Sequence, residues 1–162
     1  MCIHLVRLTD DKTQAFNILA RYCEANTDEN CGLRISRFFI GKGGDKSAAL
    51  IWQKSCNGGY PRGCRALGWS CEIGKGVPQN HIKAAALYQQ ACDGDDAGGC
   101  SNLGLMHRKG RGVTQTDIKA VFYYQKACDA GNTRGCSIFG VGYKDAKSAP
   151  KEIITGRSTI TR

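Results

Sequence analysis

The sequence has no apolar run long enough to cross a bilayer, and its opening "MCIHLVRLTDDKTQ" has no apolar segment of signal-peptide length. Membrane insertion is therefore not expected; an export signal lies outside this chain, or the protein reaches its compartment by another route. Aromatic residues make up only 8% of the chain, so a core within the 41% apolar content has to be assembled largely from small side chains. There are only three prolines, which argues against a disordered chain, and the 21 glycines recur at fixed places, as helix ends do. The three histidines, His4, His81 and His107, lie in unrelated segments and no CxxC is present, so neither metal nor cofactor is expected. No dense basic block accounts for the formal charge of +9. Scattered Lys and Arg read as a solvated surface rather than a nucleic-acid site.

Cysteine, by contrast, is abundant: ten in 162 residues, which points to an oxidising compartment, periplasmic or secreted. Eight of the ten are periodic. Cys56, Cys92 and Cys128 stand 36 residues apart, and each is followed eight positions later by Cys64, Cys100 and Cys136. Cys23 and Cys31 form an earlier pair, displaced by 33. At an offset of 36, "GCRALGWSCEIGKGVPQNHIKAAALYQQAC" superposes on "GCSNLGLMHRKGRGVTQTDIKAVFYYQKAC". Identical pairs include Gly63, Leu67, Gly68, Gly76, Tyr88 and Cys92, each with the residue 36 positions on.

Each unit reads as two helices. The first runs from about Arg62 to Ile73 and ends in the breaker "GKG". The second runs from about His81 to Cys92, where Ala84, Tyr88 and Ala91 share a face at i, i+4, i+7. "GKGVPQN" makes the turn between them. Gly68, Gly104 and Gly140 fall inside first helices, where glycine costs about 1 kcal/mol relative to alanine. That repeated cost predicts a close helix approach. A single hairpin cannot bury its stripe, but stacked hairpins can, so the fold class is an all-α, α/α superhelical solenoid. It spans residues 1–144, with a second-type helix over Asp11 to Ala25, units beginning near Cys31, Cys64 and Cys100, and a lone first-type helix over Arg134 to Tyr143. The unit at Cys31 lacks three turn residues, so its "GKGGDK" connection should be tighter. Residues 145–162 carry no helical stripe and read as an irregular or disordered tail.

Each cysteine pair flanks the joint between one unit's second helix and the next unit's first. A joint of this length brings Cα atoms to roughly 5.5 to 6 Å, within disulfide reach. Of the 105 ways to pair eight cysteines, the repeat favours the sequential one: Cys23 with Cys31, Cys56 with Cys64, Cys92 with Cys100, and Cys128 with Cys136. Packed free thiols are the alternative reading, and zinc a weaker one. Cys2 and Cys71 stand outside the pattern; Cys71 shares a core register with His107 and Tyr143 and reads as a buried free thiol. The acids between Cys92 and Cys100 read as turn and helix-end residues, with a capping role for Asp93 and its counterparts Asp129 and Asn57.

The segments "LGWSCEIGKGVPQNHIKAAALYQQAC" and "LGLMHRKGRGVTQTDIKAVFYYQKAC" resemble the Sel-1-like repeat, a relative of the tetratricopeptide repeat. The cysteine pair at each junction resembles the cysteine-rich form found in the Helicobacter cysteine-rich proteins. The resemblance is specific from Cys56 to Gly140, looser from Thr13 to Lys54, and absent after Lys144. It implies a right-handed superhelix with one disulfide per unit, used mostly as an adaptor that binds a protein or peptide. Some bacterial members carry a penicillin-binding or β-lactamase label, and β-lactam hydrolysis is the alternative function. The only SxxK, from Ser148 to Lys151, lies in the tail, and the SDN and KTG elements of serine β-lactamases are absent, so no catalytic residue is assigned.

In such stacks the first helices line the concave side. Ala66, Ser70 and Ile73, then Asn102, Met106 and Lys109, are expected on the face offered to a ligand, at i, i+4, i+7. An amide such as Asn102 would pair with an extended peptide backbone, and Arg65 and Lys109 would meet acidic groups. The chain is expected to act as a monomer.

Overall fold

A computed structural model describes residues 45–145, with side chains as far as residue 140. Six α-helices of 13 residues follow one another: α1 Asp45–Asn57, α2 Pro61–Ile73, α3 His81–Asp93, α4 Ala97–Lys109, α5 Asp117–Asp129 and α6 Thr133–Asp145. The described residues contain no strand. Helices α2, α4 and α6 are of the first type, α1, α3 and α5 of the second. Each packs on the next, and α2 also touches α4 and α4 touches α6, giving an all-α solenoid of antiparallel hairpins. The expected Asp11–Ala25 helix, the unit at Cys31, the tail, Cys2 and the Cys23–Cys31 pair lie outside the described residues. So does the "GKGGDK" connection, apart from Asp45 and Lys46, which open α1.

Local chemistry fixes the helix ends. Pro61 opens α2, where its missing N–H costs nothing, and Gly74 closes it in the left-handed region at φ 72°. Gly110 closes α4 in the same way at φ 62°. Both turns are then held by one pair of repeated bonds. The Asn80 and Thr116 amides donate to the Cys71 and His107 carbonyls at 2.8 and 3.1 Å. The Gln79 and Gln115 side chains donate to the Glu72 and Arg108 carbonyls at 2.9 and 3.1 Å. These bonds explain why the glutamine recurs. Gly76 and Gly112 recur for another reason: a Cβ on either would collide with the carbonyl of Asp45 or His81. Each turn therefore sits on the N-terminus of the preceding second-type helix.

The expected close approach inside the hairpin is present. A Cβ at Gly68 would lie 2.8 Å from the Tyr88 ring, and one at Gly104 3.0 Å from the Tyr124 ring. At Gly140 no described atom lies within 4 Å, because no described helix follows α6 to bring a ring against it. Tyr88, Leu67, Leu103 and Met106 are the largest fully buried side chains among the described residues, sharing a core cluster with Trp52 and with Ala48, Ala84 and Ala91. Burial pushes the Tyr88 hydroxyl's pKa far up, and its hydrogen bond to the Glu72 carboxylate at 2.8 Å adds to the shift.

Candidate binding surface on the first-type helices

The joints hold the solenoid in register. Cys56–Cys64, Cys92–Cys100 and Cys128–Cys136 are disulfide-bonded, as the repeat predicts. Their Cα atoms are 4.5 Å apart, closer than the 5.5 to 6 Å expected. Gly63, Gly99 and Gly135, one before each second cysteine, account for the difference. A Cβ at Gly99 would be 2.6 Å from that of Ala91, and one at Gly135 2.8 Å from that of Ala127. Structural disulfides persist in oxidising compartments, and three bonded joints are what such a compartment supports.

The capping role expected of Asp93 falls to another acid. Asp96 caps α4, accepting from the Gly99 amide at 2.6 Å, and Asn132 accepts from the Gly135 amide at 2.7 Å at the next joint. Asp93 and Asn57 instead receive Gln89 and Gln53 from one turn back, at 2.9 and 3.0 Å. Asp96 also binds the Arg65 Nε at 2.7 Å. Arg65 is thus committed to the start of α4 within the fold. An open cleft of about 440 Å³ lies on this edge, walled by Pro61, Arg62, Arg65, Asp95, Gly98 and Ala130 among others.

Cys71 is a buried free thiol, as expected, and burial raises its pKa against the opposing charge of Lys83. His107, at the same register, is buried with its Nδ1 3.2 Å from the Thr114 carbonyl and its ring stacked 5.5 Å from Tyr123. Among the described residues no three His, Cys, Asp or Glu side chains converge as metal ligands do. His4, Ser148 and Lys151 lie outside the described residues.

The outward line of the first-type helices differs from expectation in one register. Ser70 and Met106 are buried, so neither is offered to a ligand. Helix α2 is packed on one side by α1 and on the other by α3. Its buried residues therefore run from Ser70 and Gly63, through Leu67 and Cys71, to Gly68, an arc of about 160° at 3.6 residues per turn. The residue one place earlier takes the outward position. On α2 the line reads Arg62, Ala66, Trp69, Ile73, with Trp69 39% exposed. On α4 it reads Gly98, Asn102, Leu105, Lys109, where Asn102 and Leu105 are half-buried and Lys109 exposed. On α6 Arg134 and Ile138 hold the same register. The signal that could have found Trp69 is its own size: a large aromatic outside the apolar stripe.

The Sel1 repeat model matches residues 61–96 and 97–132, in register with the α2–α3 and α4–α5 hairpins. Helicobacter pylori cysteine rich protein B (hcpB) is 32% identical, over 78% of this chain and 92% of that one, with a TM-score of 0.63. The chain belongs to the Sel1-repeat family, in its cysteine-rich form. Two more distant Sel1-type structures share the fold. One is c5321, a protective antigen of uropathogenic Escherichia coli with an SLR fold, at 24% identity and a TM-score of 0.70, covering 85% of this chain and 30% of that one. The other is a Sel1 repeat protein from Oxalobacter formigenes, at 21% identity and a TM-score of 0.70, covering 85% and 57%. This chain thus spans less than two thirds of either of those two. No match to a curated protein was found.

Proposed function

We propose that this Sel1-repeat chain is a scaffold that binds a protein or peptide segment along the outward line of α2 and α4, in a periplasmic or extracellular setting. The observation that carries the reading is Trp69, a large aromatic held at the surface of a packed, disulfide-clipped stack, with Ile73 exposed one turn on. Asn102, Leu105 and Lys109 continue the line with an amide, an aliphatic and a cation, the mixture that suits an extended peptide. Aromatic anchors of this kind dominate binding energies at protein interfaces.

The test is a photoreactive phenylalanine placed in turn at Trp69, Asn102 and Leu105 of the oxidised full chain, with Gln90 on α3 as the control position. Exposure to the extract of the native compartment should give one discrete cross-linked protein from the first three positions and none from the fourth. Cross-links of equal yield from all four, or from Gln90 alone, would overturn the reading.

A further inference from the structure

The lysines and arginines that look scattered in the sequence are gathered by the fold. Because successive helices alternate in direction, the N-termini of α1, α3 and α5 share an edge with the C-termini of α2 and α4 and their turns. Counted over side chains described, this turn edge carries seven basic residues against three acids, and the opposite joint edge five against four. Two of the three acids are already engaged: Asp45 with Lys75 and Glu72 with Arg111, each at 3.6 Å. Lys46, Lys83 and Lys119 stand in the first turns of the second-type helices, and Arg108 and Lys109 close α4.

Among these cations sit the most exposed apolar side chains of the described residues. Ile82 is 73% exposed and Phe122 60%, with Leu50 and Ile118 also open. They fall at only two registers: Ile82 and Ile118 at one, Leu50 and Phe122 at the other, one turn on and at the middle of each helix's exposed arc. Single exposed aliphatics are ordinary, but exposed apolar groups repeated at matching registers on all three described second-type helices are not.

We propose that the turn edge docks peripherally on an anionic lipid surface, with Leu50, Ile82, Ile118 and Phe122 entering the interface and the flanking lysines meeting the headgroups. This surface is built on the second-type helices and meets the Trp69 line at Lys109. The composition of the edge favours a bilayer over a protein as the occupant. Its four exposed apolar side chains lie on the same edge as the excess of cations. That pairing matches the chemistry of interfacial helices on anionic membranes. No described helix is long and apolar enough to cross a membrane, so the contact is one of adsorption.

The experiment is co-sedimentation of the oxidised full chain with vesicles of about 30 mol % phosphatidylglycerol in phosphatidylcholine, against phosphatidylcholine alone. Binding to the anionic vesicles should be stronger by about tenfold or more and should weaken with salt. Ile82→Ser with Phe122→Ser, and separately Lys83→Glu with Lys119→Glu, should each reduce it by about tenfold, while Arg134→Glu on the joint edge leaves it unchanged. All substituted side chains are exposed, and circular dichroism would confirm that helicity is kept. The proposal fails if the two vesicle types bind equally or not at all. It also fails if the serine pair leaves anionic binding intact, or if duplex DNA is bound as tightly and with the same indifference to that pair, since charge alone would then explain the attraction.

Discussion

Asp95 occupies the backbone position that glycine fills at the other two described joints. Its φ is 63°, against 84° at Gly59 and 83° at Gly131. Asp tolerates the left-handed region better than most residues, but still at a cost. Asp95→Gly should therefore raise stability by up to about 1 kcal/mol, less whatever the added freedom of the unfolded chain removes. A shift of the guanidinium midpoint upward at unchanged slope is the expected result; a downward shift would mean that the Asp95 side chain makes a stabilising contact. A second residue-scale effect follows from Tyr88. Burial, first, and the bond to Glu72 hold its proton in the folded state, while the unfolded chain releases it near pH 10. Stability attributable to this group is complete below about pH 10 and falls above it, by about 1.4 kcal/mol per pH unit while the folded tyrosine stays protonated. Tyr88→Phe should flatten that slope by roughly one proton, leaving the share due to Tyr124, whose pKa burial also raises. Urea midpoints between about pH 9 and 11 would show it, in a Cys71→Ala background that removes another buried group whose pKa burial raises.

At the scale of the element, the register glycine separates the first-type helices that a described second-type helix follows from α6, which none follows. Gly68→Ala drives a methyl into the Tyr88 ring and should cost about 1–3 kcal/mol. Gly140→Ala meets no described atom and should be neutral or stabilising, by up to about 1 kcal/mol, from helix propensity alone. Equal losses at the two positions would show that another segment of the chain covers α6. The sequence made the hairpins legible because breakers, caps and cysteines recur at one period, each with a local physical cause. Ser70 and Met106 were misplaced because periodicity along one helix reveals a single stripe. How wide that stripe becomes depends on the number of neighbours, and α2 has a helix on either side. The cap at Asp96 was obscured for a related reason: three acids stand between Cys92 and Cys100, and only the path of the joint decides which one reaches the α4 amides.

For the whole molecule, the order of the helices converts a charge distribution that is featureless along the chain into two unlike edges. It also decides what each disulfide is worth. Every clip closes a loop of about nine residues, which the chain-entropy model values at about 2–3 kcal/mol irrespective of position. In a stack where units hold mainly their neighbours, however, the consequence depends on where the clip lies. Cys92–Cys100 joins α3 to α4 at the centre, where Gln89 and Cys92 also receive the Tyr123 hydroxyl at 2.8 Å and Lys126 at 3.1 Å from α5. Cys128–Cys136 joins only α6 to the rest, with no later described helix packed on it. Replacing both cysteines of the central pair by serine should lower the global unfolding free energy by about 2–3 kcal/mol and speed hydrogen exchange across α2 to α5 together. The same change at the terminal pair should accelerate exchange in α6 well before it reaches α2, because the last helix can leave without opening the others. Hydrogen exchange read by mass spectrometry on the three oxidised proteins separates these outcomes. If both variants lost protection uniformly from α2 to α6, the stack would be unfolding as one cooperative unit, and nearest-neighbour coupling would not describe it.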